Sequence, residues 1–361
     1  MKTSYIITAG ILAAIAGNAD ASHFYANSIS TNNIAIIQDS IIHNAIHTFD
    51  RAPAANLKHN TTNTPAPATK TDVSALYGKK PMYGTMSIYG EYDENEFTGR
   101  SGGDSKTPLL KNLQFSLQHF SDKVNFENYD RTDSQYTNAM IGITGGQTSF
   151  FDSVAGWAIY GGYINGKQSN NNFHIKENGG YTGIYSRFNT KHFNLSATVN
   201  GGALINNAET IYGTDNYTNL WLGAAAKASI DIILDDTFAL QPGVHIGYTW
   251  IKSDDYVSAS GDYISNSNLS ALEISPALYA IKHIGSGWFG SAHVRYVNTY
   301  TDGGDLAVNA VNFETLDSNN FTEYGLSLEK TVGRFNLSNT LVRRDGGRDG
   351  WGGNLNIKYI F

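Results

Sequence analysis

Counted back from its last residue, the chain alternates. Phe361, Tyr359, Ile357 and Leu355 are apolar, and Lys358, Asn356 and Asn354 stand between them. A strict period of two puts one face of a β-strand in an apolar phase and the other in a polar one. The pattern recurs upstream. In 335–341, Phe335, Leu337 and Leu341 alternate with Asn336, Ser338 and Thr340. In 288–296, Trp288, Val294 and Tyr296 alternate with His293 and Arg295. In 238–250, Leu240, Val244, Ile246, Tyr248 and Trp250 alternate with Gln241, His245 and Thr249, and 220–231 and 193–200 repeat the theme. The chain is therefore expected to be all-β, with a sheet whose two faces meet different surroundings.

A soluble sandwich also alternates. Three features favour a transmembrane antiparallel β-barrel. The alternating segments run about ten residues, the length that crosses a bilayer when tilted, whereas sandwich strands run about five or six. Aromatic residues mark their ends, as girdles at the lipid boundary require. The polar phases hold Asn, Ser, Thr, His, Lys and Glu, which a packed sandwich core would leave unpaired. Composition agrees: charged residues are only 16%, yet mean hydropathy is -0.30, so polarity comes from neutral side chains. A barrel needs little charge, because lipid faces one side and neutral polar groups suffice on the other. Strands are expected near 83–92, 113–120, 138–146, 156–164, 180–188, 193–202, 219–231, 238–251, 269–283, 288–298, 321–331, 335–344 and 351–361. Single-chain barrels of this kind prefer an even count. About 12 is the preferred number, with one of the first two segments outside the wall and 14 as the alternative. Residues 252–268, 297–320 and 343–350 read as longer loops, and 284–287 and 331–334 as tight turns.

The N-terminus reads as an export signal: Lys2 supplies a positive start, 6–16 an apolar run, and Ala19-Asp20-Ala21 a small-residue site that places cleavage between Ala21 and Ser22. The absence of cysteine is compatible with an extracytoplasmic compartment. Four of the seven prolines fall within 53–81, in a Pro/Thr-rich linker. Before it, Ile34, Ile37, Ile41, Ala45 and Phe49 recur at helical spacing, so a helix is expected over 33–50, capped by Asn32 or Asn33. The organisation is then a signal peptide over 1–21, a short N-terminal segment over 22–80 and a barrel over 81–361. His43 and His47 share one helical face, but two ligands are too few for a metal site, and they read as polar-face residues.

At this point the chain resembles the C-terminal translocator domain of autotransporters. AMIGITGGQ (139–147), WAIYGGY (157–163) and YTGIYSRF (181–188) resemble its Gly- and Tyr-marked early strands. FALQPGVHIGYTWIKSDDY (238–256), WFGSAHVRYV (288–297) and GWGGNLNIKYIF (350–361) resemble its later strands and its closing one. The helix ahead of the wall resembles the plug helix threaded through the pore, and Asn32-Asn33 resembles the Asn-Asn cleavage site of one autotransporter class. The resemblance implies a cell outer membrane location, a role in type V secretion as a translocator or as a surface-displayed barrel with a minimal passenger, and as partners outer-membrane lipid, a secretion translocon, periplasmic chaperones and the barrel-assembly machinery. Two other functions are open: a porin-like channel for small solutes, and a barrel adhesin whose long loops bind a host or matrix ligand. With a net charge of -7 the chain does not read as a nucleic-acid binder.

No catalytic motif is present, so no enzyme activity, catalytic residue, metal or cofactor is expected. Asp254, Asp255, Asp302, Asp305, Asp345 and Asp349 read as solvated loop carboxylates. On the strand phases above, Lys227, Asp231, His245, Glu273, His293, Arg295, Glu323, Glu329 and Lys358 point into the lumen. Leu355, Ile357, Tyr359 and Phe361 read as the assembly signal that barrel-assembly machinery recognises by edge pairing.

Overall fold

The computed structural model describes residues 17–49 and 110–361, apart from 127–128, 130, 146–147, 151–152, 191–192 and 310. The expected strand at 83–92, the linker, Asp50 and the apolar run of the signal region lie outside the described residues. One long helix, α1 (Gly17–Phe49), precedes twelve wall strands: β1 (Leu110–Val124), β2 (Thr132–Gly145), β3 (Ser153–Ser169), β4 (Phe173–Asn189), β5 (Phe193–Thr210), β6 (Gly213–Ile230), β7 (Phe238–Ser253), β8 (Leu269–Gly285), β9 (Trp288–Gly303), β10 (Phe321–Val332), β11 (Phe335–Gly346) and β12 (Arg348–Ile360).

Each wall strand pairs antiparallel with its neighbour in sequence, and β12 returns to β1 over the register Asn112↔Ile360 to Val124↔Arg348. The sheet therefore closes on itself and leaves no edge within the wall. Two short strands, Thr148–Phe150 and Ile232–Asp235, extend the same sheet without entering the ring. Continuous pairing of β1 with β2 from Val124↔Thr132 to Asn112↔Thr144 removes the hairpin that a 14-strand wall would have needed.

The barrel has two unlike ends. At one end are the links 286–287 and 333–334 and the C-terminus; at the other stands a four-stranded sheet made of Tyr256–Val257, Tyr263–Asn266, Leu306–Val308 and Val311–Phe313. The first is called the turn end and the second the loop end. At 286–287, Ser286 and Gly287 both have positive φ, 51° and 74°, which is the primed turn that matches strand twist. The expected loop at 343–350 is not a loop. β11 and β12 run through it and are joined at Gly347 alone. Gly346 takes φ 111°, and a Cβ on Gly347 would collide with the backbone carbonyl of Asn319, so only this glycine pair lets the strands turn there. Residues 297–303 are likewise strand rather than loop.

Burial is inverted relative to a soluble protein. Leu326, Ile205 and Ile184 are 66%, 62% and 60% exposed, while Arg295 and Glu323 are 2% and 1%. An apolar outer surface this extensive has one favourable surrounding, hydrocarbon. Trp288, Phe335 and Phe361 mark the band toward the turn end; Tyr296, Tyr324 and Trp351 mark it toward the loop end. From Trp288 to Tyr296 is about 26 Å along the strand at ~3.3 Å per residue. At a tilt of about 40° that projects to roughly 20 Å, close to the apolar belt of outer-membrane barrels.

Candidate functional site

The lumen is filled by α1. Its side chains from Tyr25 to Phe49 are buried, Tyr25, His43 and His47 less completely than the rest. The helix runs from the loop end, where Asn27 and Ser28 reach Tyr256 and Thr315, to the turn end, where the Arg187 guanidinium donates to the Phe49 carbonyl at 3.2 Å. One arc of the wall presents aromatic and apolar groups, including Tyr136, Met140, Tyr160, Tyr181 and Tyr185 on β2 to β4, and these pack on Ile34, Ile37, Ile41 and Phe49. The apolar stripe read from the sequence is thus the face of α1 on this arc.

The helix begins earlier than its apolar spacing predicts, at Gly17 rather than 33, and Asn32 and Asn33 are not caps. A polar helix is stable here because lumen groups answer most of its polar side chains. Ser30 Oγ is 2.8 Å from Tyr217 Oη, Thr31 Oγ1 is 2.9 Å from Ser253 Oγ, and Asn33 Nδ2 donates to Glu177 Oε2 at 3.1 Å. Farther along, Asn44 Oδ1 accepts from Ser116 Oγ at 3.0 Å and Thr48 donates to Asn356 at 3.2 Å. Pairing with lumen groups replaces the water that an exposed helix would use. Ala21 and Ser22, the expected cleavage site, lie within the helix.

The opposite arc is charged. Arg295 on β9 grips Asp39 of α1 with both terminal nitrogens, at 2.7 and 2.8 Å, and donates from Nε to Glu323 Oε1 on β10 at 2.8 Å. Glu323 Oε2 accepts from Arg344 Nε on β11 at 2.8 Å. Arg344 Nη1 donates to Asp122 Oδ2 on β1 at 3.0 Å, and Arg348 on β12 donates to the same oxygen from Nε and Nη2 at 3.0 and 2.5 Å. Arg348 Nη1 returns to Asp39 Oδ2 at 3.9 Å. The six groups form a closed ring of alternating sign, three guanidinium ions against three carboxylates. Five come from five consecutive wall strands and the sixth is the helix. Buried ion pairs hold only when geometry and hydrogen bonding repay desolvation. Here each carboxylate oxygen of Asp39 and Glu323 receives an N–H, so these two members meet that condition, and through Asp39 the helix is fixed to the wall.

Around this ring lie the other lumen charges. Lys227, Asp231, His245 and His293 are buried on the inner face, as are Arg295 and Glu323 of the ring itself. Asp231 accepts from Gln241 at 2.8 Å, Lys227 Nζ stands 4.9 Å over the Tyr279 ring, and Glu273 lines a small crevice beside Ala35 and Arg348. Glu329 accepts from Asn336 at 2.6 Å toward the turn end, and Lys358 follows Asn356 in the inward row of β12. Asp39, Asp122, Arg344, Arg348 and Glu177 complete the site and were not singled out by sequence pattern. Asp39 sits on a helix read for its apolar stripe, and Arg344 and Arg348 lie in the stretch read as a loop. Of the rim carboxylates, Asp255 accepts from the Asn266 backbone N–H and Tyr263 Oη, and Asp345 and Asp349 pair outward with Arg343 at 2.7 and 2.6 Å. These are contacts that order loops and strand ends.

At the closing seam Leu355, Ile357 and Tyr359 stand opposite Leu117, Phe115 and Leu113 of β1. Phe361 packs edge-on against Tyr359 with ring centroids 5.5 Å apart. The edge of β12 is therefore occupied in the finished barrel.

No known family profile matches the sequence, and no curated protein does. Solved structures do match the fold. The β domain of the Bordetella autotransporter BrkA is 13% identical with a TM-score of 0.59, covering 70% of this chain and 99% of that one. The transport unit of the autotransporter AIDA-I from Escherichia coli is 13% identical with a TM-score of 0.58, covering 72% and 93%. The translocator domain of the autotransporter NalP from Neisseria meningitidis is 14% identical with a TM-score of 0.59, covering 70% and 89%. The chain has the fold of autotransporter translocator barrels.

Proposed function

We propose that the protein is an outer-membrane barrel of autotransporter type that keeps its own N-terminal helix as a plug, rather than an enzyme or an open porin. One observation carries this reading: α1 fills the lumen from loop end to turn end and is bound to the wall through Asp39. Short turns face the periplasm and longer loops face outward in such barrels, so the helix enters from outside and leaves toward the periplasm. That is the direction of a segment carried outward as far as its helix and retained there. Cleavage between Ala21 and Ser22 leaves Ser22, His23 and Phe24 ahead of Tyr25, so the mature chain starts at the loop end as a surface-displayed barrel with a minimal passenger. Before closure, the free edge of β12 with Leu355, Ile357, Tyr359 and Phe361 is the strand offered to the barrel-assembly machinery, with periplasmic chaperones holding the unclosed chain. The channel reading is the weaker one because the helix occupies the space a solute would cross.

Orientation gives a direct test. Phe49 and Leu110 both lie at the turn end, which this reading places on the periplasmic side. An epitope inserted between Pro65 and Pro67 is expected to survive protease treatment of intact cells and to be lost once the outer membrane is permeabilised. Removal of the epitope from intact cells would overturn the orientation.

A further inference from the structure

Beside the charged ring, four histidines converge from three elements. His43 and His47 come from α1, His245 from β7 and His293 from β9. The His43 ring lies 5.7 Å from His245, 5.9 Å from His293 and 6.1 Å from His47, centroid to centroid. His293 Nε2 is 3.4 Å from Glu323 Oε1 and His43 Nε2 is 3.9 Å from the same oxygen. One donor atom each from His43, His293 and Glu323 lies within 4.8 Å of the other two. Imidazole rings bound to one tetrahedral ion, with metal–nitrogen bonds of ~2.0–2.1 Å, hold their centroids about 5 Å apart. The observed spacing is less than an ångström wider.

His43 also lacks the partner that its position demands. Its Nδ1 is buried with no hydrogen bond, and its Nε2 is too far from Glu323 for one. A buried polar atom left in this state costs free energy unless a ligand fills the gap. We propose that His43, His293 and Glu323, with His245 as the adjoining donor, bind a borderline divalent transition-metal ion of the Zn2+ type, which joins the plug helix to the wall. Two or three imidazoles and one carboxylate suit such an ion and not Mg2+ or Ca2+, which take oxygen. The opposing force is the Arg295 guanidinium, which shares Glu323 Oε1 at 2.8 Å, with Lys227 next to His245 on the far side. Asp39 and Glu323 answer Arg295, and Glu273 adds a further carboxyl to the same arc. Arg295, Asp39 and Glu323 together carry one negative charge. The inference does not depend on what, if anything, the barrel exports.

The test uses purified full-length protein, verified as a folded barrel by heat-modifiable mobility, stripped with a chelator and titrated with ZnCl2. Wild type and His174→Ala, a substitution of an exposed strand histidine, are expected to retain about one ion after dialysis and to melt at a higher temperature with Zn2+ than without. His43→Ala and His293→Ala are each expected to weaken binding at least ~10-fold, as loss of groups that support a metal site does. MgCl2 is expected to have no effect. Failure of wild type to retain Zn2+ would overturn the proposal, and so would equal retention by folded His43→Ala and His293→Ala. Should either variant not fold, Co2+ added to wild type gives an independent reading: a visible absorption band from nitrogen ligation supports the site, and its absence overturns it.

Discussion

Deleting residues 25–49 is expected to turn a silent barrel into a conducting one. In planar bilayers the full chain should stay closed, and the deletion protein at the same amount should give resolvable conductance steps. The size of the effect follows from what the helix displaces. A helix with its side chains is about 10–12 Å across, and α1 is enclosed on all sides by the wall. Its removal leaves a water-filled passage of roughly that width, lined by aromatic and apolar groups on the arc of β2 to β4 and by polar and charged groups elsewhere. The wall does not depend on the helix for closure, because β12 pairs with β1 along thirteen register positions without it. A deletion protein that migrates as a folded barrel yet conducts no more than the full chain would show that α1 does not block the path.

Arg295→Met should produce the largest loss of stability of any single substitution in the lumen. Arg295 supplies both N–H groups to Asp39 and one to Glu323 Oε1, so its loss strands the buried Asp39 carboxylate and removes one donor from Glu323. Removing one partner of a buried ion pair costs about 3–5 kcal/mol, because the remaining charge is desolvated without compensation. The folded barrel of the variant is expected to lose its heat-resistant mobility at a clearly lower temperature and to give intermittent conductance as the helix loosens. Glu323 keeps Arg344 Nε at 2.8 Å, so most of the damage falls on Asp39. The double variant Asp39→Ala, Arg295→Met should therefore recover part of the lost stability, since it leaves one carboxylate fewer without a donor. Coupling of this kind is the mark of groups in one network. Equal melting of wild type and Arg295→Met would mean that the ring is solvated rather than buried.

The alternation that defines the wall is a local property, and it was legible. Phe335, Leu337 and Leu341 face outward and Asn336, Ser338 and Thr340 inward because successive side chains of a strand must point to opposite faces. From that rule the barrel follows, and the count of about twelve needs in addition the preference of such walls for an even number. Which inward residues meet is not local. Arg295 and Asp39 are brought together by the stagger of the wall and by how far the helix is inserted, and neither leaves a periodic trace. The stretch 343–350 misled for a related reason. Asp and Gly there resemble a solvated loop, yet Arg344 and Arg348 alternate inward while Arg343 and Asp349 pair outside. The start of α1 was missed because helices are ordinarily sought by an apolar stripe, and 22–33 is Ser- and Asn-rich. Inside a polar lumen such a stripe is not needed: Ser30, Thr31 and Asn33 find partners on the wall that water or caps supply elsewhere. The sequence pairs His43 only with His47, because its other ring neighbours, His245 and His293, lie on distant strands.

The central claim, a closed outer-membrane barrel with its own helix seated in the lumen, can be tested with a single disulfide. The chain has no cysteine, so an engineered pair has no competitor. Thr31 Oγ1 and Ser253 Oγ are 2.9 Å apart, one on α1 and the other on the inner face of β7. Thr31→Cys with Ser253→Cys, expressed in cells and oxidised in the isolated outer-membrane fraction, is expected to form a cross-link seen as a reductant-sensitive mobility change, while each single substitution gives none. A double variant that reaches the outer membrane as a heat-modifiable barrel but does not cross-link would place the helix outside the lumen and contradict the account.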